Sequence, residues 1–159
     1  MEAKKDGRVL FTEVVRPPLW LLAFIFFLLA SFALSIWAAF NNLAGTVTLV
    51  VGVVLLFLIR HSMMMTIVIY ENQLRIGPAH IGRAYLGEIT ELSIEGMRLT
   101  RGRNADPAAF LAIRFWEPHG VKIMVEDPRD PTPYWLISSK NTKGLVEALE
   151  KRSEIGKEN

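Results

Sequence analysis

The chain has 159 residues, of which 51% are hydrophobic and 21% are charged, and its formal net charge at pH 7 is +2. The high hydrophobic fraction excludes an intrinsically disordered chain, and the small net charge does not indicate a nucleic-acid-binding protein. The absence of cysteine excludes a disulfide scaffold, a thiolate metal site and a cysteine nucleophile.

The first predicted element is a long apolar helix. No Asp, Glu, Lys or Arg lies between Arg16 and Arg60. Within this stretch, Leu19–Phe40 is apolar except for two serines. At roughly 1.5 Å per residue such a helix is about 33 Å long, which matches a hydrocarbon core of about 30 Å. The segment therefore predicts a transmembrane span.

A second apolar run follows after a short polar link at Asn41 and Asn42. Leu43–Ile59 is near the lower length limit for a span and is interrupted only by glycine and threonine. Together the two runs predict a transmembrane hairpin over 17–62. A buried helix pair of a soluble protein and a cleaved signal peptide are the alternatives, but both apolar runs are too long for either.

The orientation follows from the basic residues that flank the spans. Basic residues precede the first span and follow the second, whereas the link contains none, which predicts cytoplasmic termini and a multi-pass protein of the plasma membrane. Residues 1–16 then form a cytoplasmic N-terminal segment. The flanking residues are Lys4, Lys5, Arg8, Arg16, Arg60 and His61.

Small residues recur at helical spacing in both spans, and they have two interpretations. They are Ser31, Ser35 and Ala38 or Ala39 in the first span, and Gly45, Thr48 and Gly52 in the second. They favour close helix packing, either within the hairpin or in a homodimer. Ionisable residues, which proton and ion pathways require, are absent from both spans, so the hairpin is interpreted as an anchor.

Residues 63–152 have the composition of a soluble domain and predict a cytoplasmic β domain. Alternating β-branched and polar residues predict short antiparallel strands. The first two strands are predicted to form a hairpin through a turn at Glu71–Gln73, and a second hairpin is predicted around the loop Glu117–Gly120. The predicted strands are Thr66–Tyr70, Leu74–Ile76, Ala84–Leu86, Glu91–Glu95, Phe110–Trp116, Val121–Val125 and Tyr134–Ser138.

One helix is predicted after the strands, followed by a polar tail at 153–159. Asn141 or Thr142 can cap this helix, and Leu145, Val146 and Leu149 form its apolar stripe. Short antiparallel strands followed by one helix are the element order of a pleckstrin-homology-like barrel. The predicted fold class is therefore an α+β membrane protein, with a transmembrane helical hairpin and a small antiparallel β-barrel or sandwich.

Three segments carry a resemblance to a known family. They are Asn104–Phe110, Arg114–Pro118 and the run from Asp127 to Ser138, which reads Asp-Pro-Arg-Asp-Pro-Thr-Pro-Tyr-Trp-Leu-Ile-Ser. On these segments the chain resembles an uncharacterised family of two-span actinobacterial membrane proteins, a domain of unknown function. The resemblance covers about 16–149 and implies a two-span protein with a small cytoplasmic β domain. No activity or site residue is implied by it.

The run from Asp127 to Ser138, which we call the signature run, has two interpretations. Each Asp precedes a proline, so the carboxylates either start turns or act as acid–base groups or divalent-cation ligands. In the first case the run is a stiff connection that ends at two aromatic residues, of which one points into the core and one outward. The signature residues are Asp127, Pro128, Asp130, Pro131, Pro133, Tyr134 and Trp135.

Three arginines in a predicted loop are the candidate binding residues. Arg98, Arg101 and Arg103 lie around Gly102 with no acidic residue among them. Near an anionic leaflet each exposed basic residue contributes about 1 kcal/mol, which indicates a lipid-headgroup or phosphate contact. A solvated loop balanced by neighbouring glutamates is the alternative.

The sequence therefore predicts a membrane-anchored interaction or scaffold module, without a catalytic site, a metal or a cofactor. Its expected partners are the bilayer and either anionic lipid headgroups or another membrane protein, and not nucleic acid. Two other hypotheses remain: a surface enzyme that uses Asp127, Asp130 and His119 as its acid–base set, and an accessory subunit that assembles through its helix faces. The enzyme requires those three side chains to converge in one pocket.

Overall fold

The structure is a computed structural model that describes residues 7–151. Those residues form two compact units: 16–64, and the chain before Arg16 together with the chain from Met65 onward. The predicted tail at 153–159 and the basic residues Lys4 and Lys5 lie outside the described residues. As predicted, the fold is α+β, with two apolar helices near the N-terminus and a helix after the last strand.

Helices α1 (Leu19–Ala39) and α2 (Asn42–Met63) form the first unit and pack against each other. Helix α2 begins where the Asn41 side chain accepts the N–H of Ala44 at 2.9 Å. Both helices are long and apolar enough to cross a membrane, with mean hydropathies of 2.5 and 2.4. Only 11% of each apolar stretch is buried, so most of its side chains point away from protein.

Two glycines of α2 face α1. A Cβ atom at Gly45 would lie 2.6 Å from the Cβ of Trp37, and a Cβ at Gly52 would lie 3.5 Å from that of Leu29. Gly45 therefore permits a backbone approach that no larger residue allows. Ser31 and Ser35 of α1 are exposed, so packing within the hairpin involves the small residues of α2 and not these serines.

The first sheet of the second unit is antiparallel, with the order β1-β2-β3-β4. In the register of β1 and β2, Val15 lies opposite Met65. In the sequence, the helical unit therefore lies between two strands that are neighbours in one sheet. The strands are β1 (Val9–Val15), β2 (Met65–Tyr70), β3 (Gln73–Ile76) and β4 (Ala79–Gly82).

The position of β1 differs from the sequence-based boundaries. Residues 1–16 were expected to form a separate segment, whereas Val9–Val15 is an edge strand of the β unit. Its partner β2 lies beyond both helices in the chain. A strand this short can be recognised only from the strand that it pairs with, and the partner of β1 is far away in the sequence. The predicted hairpin of β2 and β3 is confirmed.

The second sheet is mixed, with the order β5-β7-β8-β6. Strand β6 pairs parallel to β8, and the other pairs are antiparallel, which differs from the wholly antiparallel domain that was predicted. Because β8 lies between β6 and β7, the predicted hairpin around Glu117–Gly120 is wrong. The strands are β5 (Leu86–Leu92), β6 (Phe110–Ala112), β7 (Gly120–Val125) and β8 (Tyr134–Ser138).

The two sheets and the last helix, α4 (Thr142–Glu150), share one apolar core. Ile67 of the first sheet, Ile137 of the second and Leu145 of α4 are all fully buried in it. Helix α4 begins as predicted, since the Asn141 side chain accepts the N–H of Gly144 at 3.1 Å. The core thus fixes β1, which precedes the helical unit, to strands that follow it.

Candidate functional site

The three candidate arginines lie on and just after a short helix, α3 (Ile94–Arg101). Arg98 and Arg101 are three residues apart on this helix and share a face, and Arg103 follows in the next turn. All three side chains are exposed. We call these three exposed residues the α3 arginines.

Helix α3 overlaps two elements that the sequence predicted, a strand over Glu91–Glu95 and a loop around the arginines. Only Glu91 and Leu92 of that strand lie in β5, and only Arg103 of the three arginines follows the helix. The rest forms a helix because Ser93 accepts the N–H of Gly96 at 3.2 Å and so caps it. The helix ends at Gly102, whose N–H donates to the Leu99 carbonyl at 3.2 Å. A serine cap three residues before a glycine is a weak signal, because glycine disfavours helix interiors.

One side chain holds α3 on the β unit. Met97 is 1% exposed and packs with Tyr134 and Leu136 on the outer face of the second sheet. The remaining large apolar residues of the helix, Ile94 and Leu99, are 54% and 37% exposed. Helix α3 thus has one buried contact and otherwise presents basic and apolar side chains to its surroundings.

The charge of this surface is only partly neutralised. Arg98 Nη1 lies 3.9 Å from Glu95 Oε2, and both side chains are largely exposed. A pair of this kind contributes about 0.5 kcal/mol or less. Within residues 7–151, Arg101 and Arg103 have no carboxylate within ion-pair distance. The α3 arginines are therefore available to an anionic group.

The signature run forms a turn held by Asp127 and Arg129. The Asp127 carboxylate accepts the backbone N–H of Arg129 at 3.0 Å and its Nε at 3.2 Å. These hydrogen bonds lower the pKa of Asp127, and the same carboxylate raises the pKa of Arg129. Arg129 Nη2 also donates to the Tyr85 hydroxyl at 2.9 Å, which joins the turn to the segment before β5.

The other two Asp-Pro pairs have similar geometry. Asp130 Oδ1 accepts the N–H of Thr132 at 2.9 Å, and Asp106 Oδ1 accepts that of Ala108 at 2.8 Å. Hydrogen bonds from Thr132 lower the pKa of Asp130. Each carboxylate therefore binds the backbone two residues further on, as in an Asx turn, and each proline fixes φ within the turn.

The aromatic residues after the turn are both buried. Tyr134 and Trp135 are each 5% exposed, because the second sheet is covered on both faces. The Tyr134 hydroxyl accepts the N–H of Asp106 at 3.0 Å, and Trp135 packs against Phe110 with ring centroids 4.4 Å apart. The expected alternation of one core residue and one exposed residue does not hold for this pair.

The structure does not bring the proposed acid–base set together. His119 directly precedes β7, whereas Asp127 and Asp130 follow its other end. At roughly 3.3 Å per residue, a six-residue strand places them more than about 15 Å apart. Among the described residues, no group of three or more His, Asp or Glu side chains is arranged to hold a metal ion.

A comparison with protein families finds a match that covers most of the described residues. The model of a family described as "Protein of unknown function (DUF3093)" matches residues 10–149. The chain belongs to this family. No curated protein and no solved structure matches it. The match confirms the expected domain of unknown function and includes β1, both helices and the α3 arginines.

In this DUF3093 chain, a buried arginine with a structural role was missed by sequence reasoning. Arg83 is 6% exposed, and its Nη2 donates to the carbonyl oxygens of Ala148 at 3.0 Å and Leu149 at 2.6 Å. Its Nη1 also donates to the Tyr70 carbonyl at 3.3 Å. Arg83 thus caps the C-terminal end of α4, and no local pattern around it indicated this.

A glutamate before the first helix was also missed. Glu13 of β1 accepts the Ser139 hydroxyl at 2.6 Å and the backbone N–H of Lys140 at 2.7 Å. A charged residue in an alternating VLFTEVV strand is an ordinary feature of an exposed strand face. Its partners lie in the connection between β8 and α4, so only the fold reveals them.

A cleft of the DUF3093 β unit lies between the start of β1 and α4, with a volume of about 970 Å³. Three of its five charged residues bind one another or the protein backbone. Glu147 and Lys151 form an ion pair at 2.9 Å that lowers the pKa of Glu147, and Arg83 is bound to backbone carbonyls. Among the α3 arginines, Arg101 and Arg103 have no carboxylate within ion-pair distance in residues 7–151.

Proposed function

We propose that the chain is an integral membrane protein whose two helices span the bilayer and hold the β unit at one membrane surface. The observation that carries this proposal is the outer surface of the hairpin. The two apolar helices have no ionisable residue between Arg16 and Arg60, and their large apolar side chains point away from protein. In water this surface would be very unfavourable, whereas lipid solvates it.

The order of the strands supports one orientation for the hairpin. Val15 and Met65 lie opposite each other in adjacent strands, so a spanning hairpin has both ends on the side of the β unit. Arg16 and Arg60 lie at this side and the link at Asn41 is uncharged, which favours a cytoplasmic β unit at the plasma membrane. The actinobacterial origin implied by the resemblance belongs to the same proposal.

The β unit acts as an interaction or scaffold module that binds an anionic lipid headgroup or a protein partner through the α3 arginines. Support comes from the exposure of Arg98, Arg101 and Arg103 and from the lack of ion-pair partners for the last two among the described residues. A guanidinium group binds phosphate and carboxylate with two parallel hydrogen bonds. The module therefore selects an acidic partner at or near the membrane.

A pleckstrin-homology-like architecture is part of the proposal. Two packed sheets followed by a helix that contributes to their core support it. The parallel pairing of β6 with β8 and the insertion of α3 are departures from a simple antiparallel order. An experimental structure of the β unit in the intact protein tests this part.

Whether the two helices span the membrane is tested with single introduced cysteines. Labelling is specific to the introduced position because the sequence contains no other cysteine. Asn42→Cys in the link and Lys143→Cys in α4 are treated with a membrane-impermeant maleimide in intact cells and in inverted vesicles. The expected result is labelling of position 42 from outside only and of position 143 from the cytoplasmic side only. Equal labelling of both positions from one side, or an intact chain that stays monodisperse without detergent, would contradict the proposal.

The α3 arginines are tested by the triple change to Gln, with Lys143→Gln, at an exposed position of α4, as the control. In nanodiscs that contain anionic lipid, amide exchange of α3 is expected to be slower than in zwitterionic nanodiscs, and the triple variant should lose this difference. Crosslinking of the same variants in native membranes tests whether the arginines bind a protein partner. If neither lipid dependence nor an arginine-dependent crosslink is found, the assignment of this surface is wrong.

A further inference from the structure

The connection between β6 and β7 presents an exposed aromatic side chain. We call residues 113–119 the aromatic loop. Phe115 is 64% exposed and packs edge-to-face on Trp116, with ring centroids 4.8 Å apart. A single exposed apolar residue is common in soluble proteins, so exposure alone assigns no role to Phe115.

Hydrogen bonds fix the conformation of this loop. The N–H of Arg114 donates to Ser138 Oγ at 3.0 Å, and the hydroxyl of Ser138 donates to the Glu117 carbonyl at 3.3 Å. The N–H of Glu117 in turn donates to the Arg114 carbonyl at 2.9 Å. Ser138 is fully buried in β8. Phe115 is therefore held outward by a defined turn, and its exposure does not reflect a frayed segment.

The same hydrogen-bond network extends to β1, the strand that precedes the first helix. The N–H of Ser139 donates to the His119 carbonyl at 3.2 Å, and its hydroxyl donates to Glu13 at 2.6 Å. Glu13 is two residues before Val15, the last residue of β1. The aromatic loop is thus tied to the end of β1 that is next to the hairpin.

The opposite end of the β unit is marked by Arg83. This residue joins the last turn of α4 to Tyr70, the end of β2 that is far from Met65. Only Met64 separates Met65 from α2, a chain length of about 7 Å at roughly 3.5 Å per residue. The end that carries the aromatic loop is therefore the end closest to the hairpin along the chain.

We propose that the aromatic loop is a membrane-contact site, in which Phe115 inserts into the interfacial layer of the same bilayer that the hairpin spans. Aromatic rings favour this layer. The exposed side chain of Lys140, whose backbone binds Glu13, supplies a positive charge for anionic headgroups at the same end. This inference rests on the proposed spanning hairpin and adds a third contact between the protein and the lipid.

Three single-cysteine variants carrying a nitroxide label test the inference in nanodiscs. Phe115→Cys reports on the loop, Glu150→Cys on exposed α4 at the opposite end, and Phe27→Cys, at a 68% exposed position in α1, on the hairpin. Collision of each label with oxygen, which concentrates in lipid, is compared with collision with a water-soluble nickel reagent. All three positions are exposed, so labelling does not disturb the core.

The expected ratio of oxygen to nickel collision is highest at position 27, lowest at position 150 and intermediate at position 115, severalfold above position 150. If position 27 behaves as an aqueous site, the spanning hairpin itself is wrong. If position 27 is in lipid and position 115 equals position 150, the membrane contact of the loop is wrong. A label at position 115 that collides rarely with both reagents also contradicts the membrane contact, because protein then covers the aromatic loop.

Discussion

Nη2 of Arg83 lies 2.6 Å from the carbonyl oxygen of Leu149, in the last turn of α4. The first and last parts of the β unit meet here, since Arg83 also reaches the Tyr70 carbonyl. The last carbonyls of a helix have no partner within the helix and carry its partial negative charge. A buried guanidinium therefore satisfies them and holds α4 against the first sheet.

Replacing Arg83 by Met should reduce the stability of the β unit. The change leaves the Ala148 and Leu149 carbonyls without this donor, and hydrogen bonds from charged groups contribute about 1.5–3 kcal/mol each. We expect a loss of about 2–4 kcal/mol, measured by thermal unfolding in detergent. Arg98→Met on α3 is the control and should change stability by less than about 0.5 kcal/mol. Equal effects would show that the cap is unimportant.

Gly45 and Gly52 should respond differently to alanine. A Cβ at position 45 would lie 2.6 Å from Trp37, whereas a Cβ at position 52 would make ordinary contact with Leu29 at 3.5 Å. Gly45→Ala should cost about 1–3 kcal/mol through overpacking, and Gly52→Ala should be neutral or slightly stabilising. Thermal stability of the two variants in the same detergent measures this. A tolerated Gly45→Ala would contradict the close approach of the helices.

The pKa of Asp127 should depend on Arg129. This pKa is lowered mainly by the side-chain hydrogen bond from Arg129, whereas that of Asp130 is lowered by Thr132. In Arg129→Gln the pKa of Asp127 should rise toward its ordinary value and that of Asp130 should stay low. Carboxyl-carbon NMR titration measures both, and a parallel rise would indicate that the whole turn had opened.

The sign of the pH effect on stability follows from the same shift. The folded pKa of Asp127 is lowered, so its contribution is complete above the unfolded pKa and is lost as pH falls through the folded value. Asp127→Asn keeps the acceptor for the Arg129 N–H but removes the charge. The variant should be less stable than the natural chain at pH 7, and the difference should shrink in acid. Melting temperatures measured across this range test it; a difference independent of pH would exclude an ionic origin.

Glu13→Gln should weaken the attachment of β1. The carboxylate accepts two donors, from Ser139 and Lys140, whereas an amide presents one oxygen and one NH₂ group. One donor is left unsatisfied, at a cost of about 1–3 kcal/mol. Amide exchange in β1 should become faster. Glu88→Gln is the control, since Glu88 is exposed and accepts only a long hydrogen bond from Thr90, at 3.4 Å; faster exchange in both variants would indicate general destabilisation.

The helices, several strands and the last helix were predictable because their signals are local. The apolar runs from Leu19 and from Leu43 correspond to α1 and α2, and the Asn141 cap starts α4 as expected. Strand β8 matches its predicted range, Tyr134–Ser138. In each case composition or capping within one segment determines the element.

The missed features depend on partners that are distant in sequence. Strand β1 pairs with β2 across the hairpin, and β6 pairs with β8 across β7. Helix α3 is stabilised on the sheet by Met97, although Gly96 lowers its intrinsic propensity. The same holds for the candidate residues. The α3 arginines were predicted as a local cluster in the sequence, whereas the hydrogen bonds of Glu13 and Arg83 and the exposure of Phe115 required the fold.

The insertion of the hairpin between β1 and β2 dictates an order of events during synthesis. The ribosome completes β1 first and β2 only after both helices. At about 5–20 residues per second, roughly fifty residues of chain take about 3–10 s to translate. During that interval β1 has no partner, so the first sheet can close only after β2 has been synthesised. If β1 did not then pair with β2, the backbone edge of β2 would stay unpaired and could bind a strand of a neighbouring nascent chain.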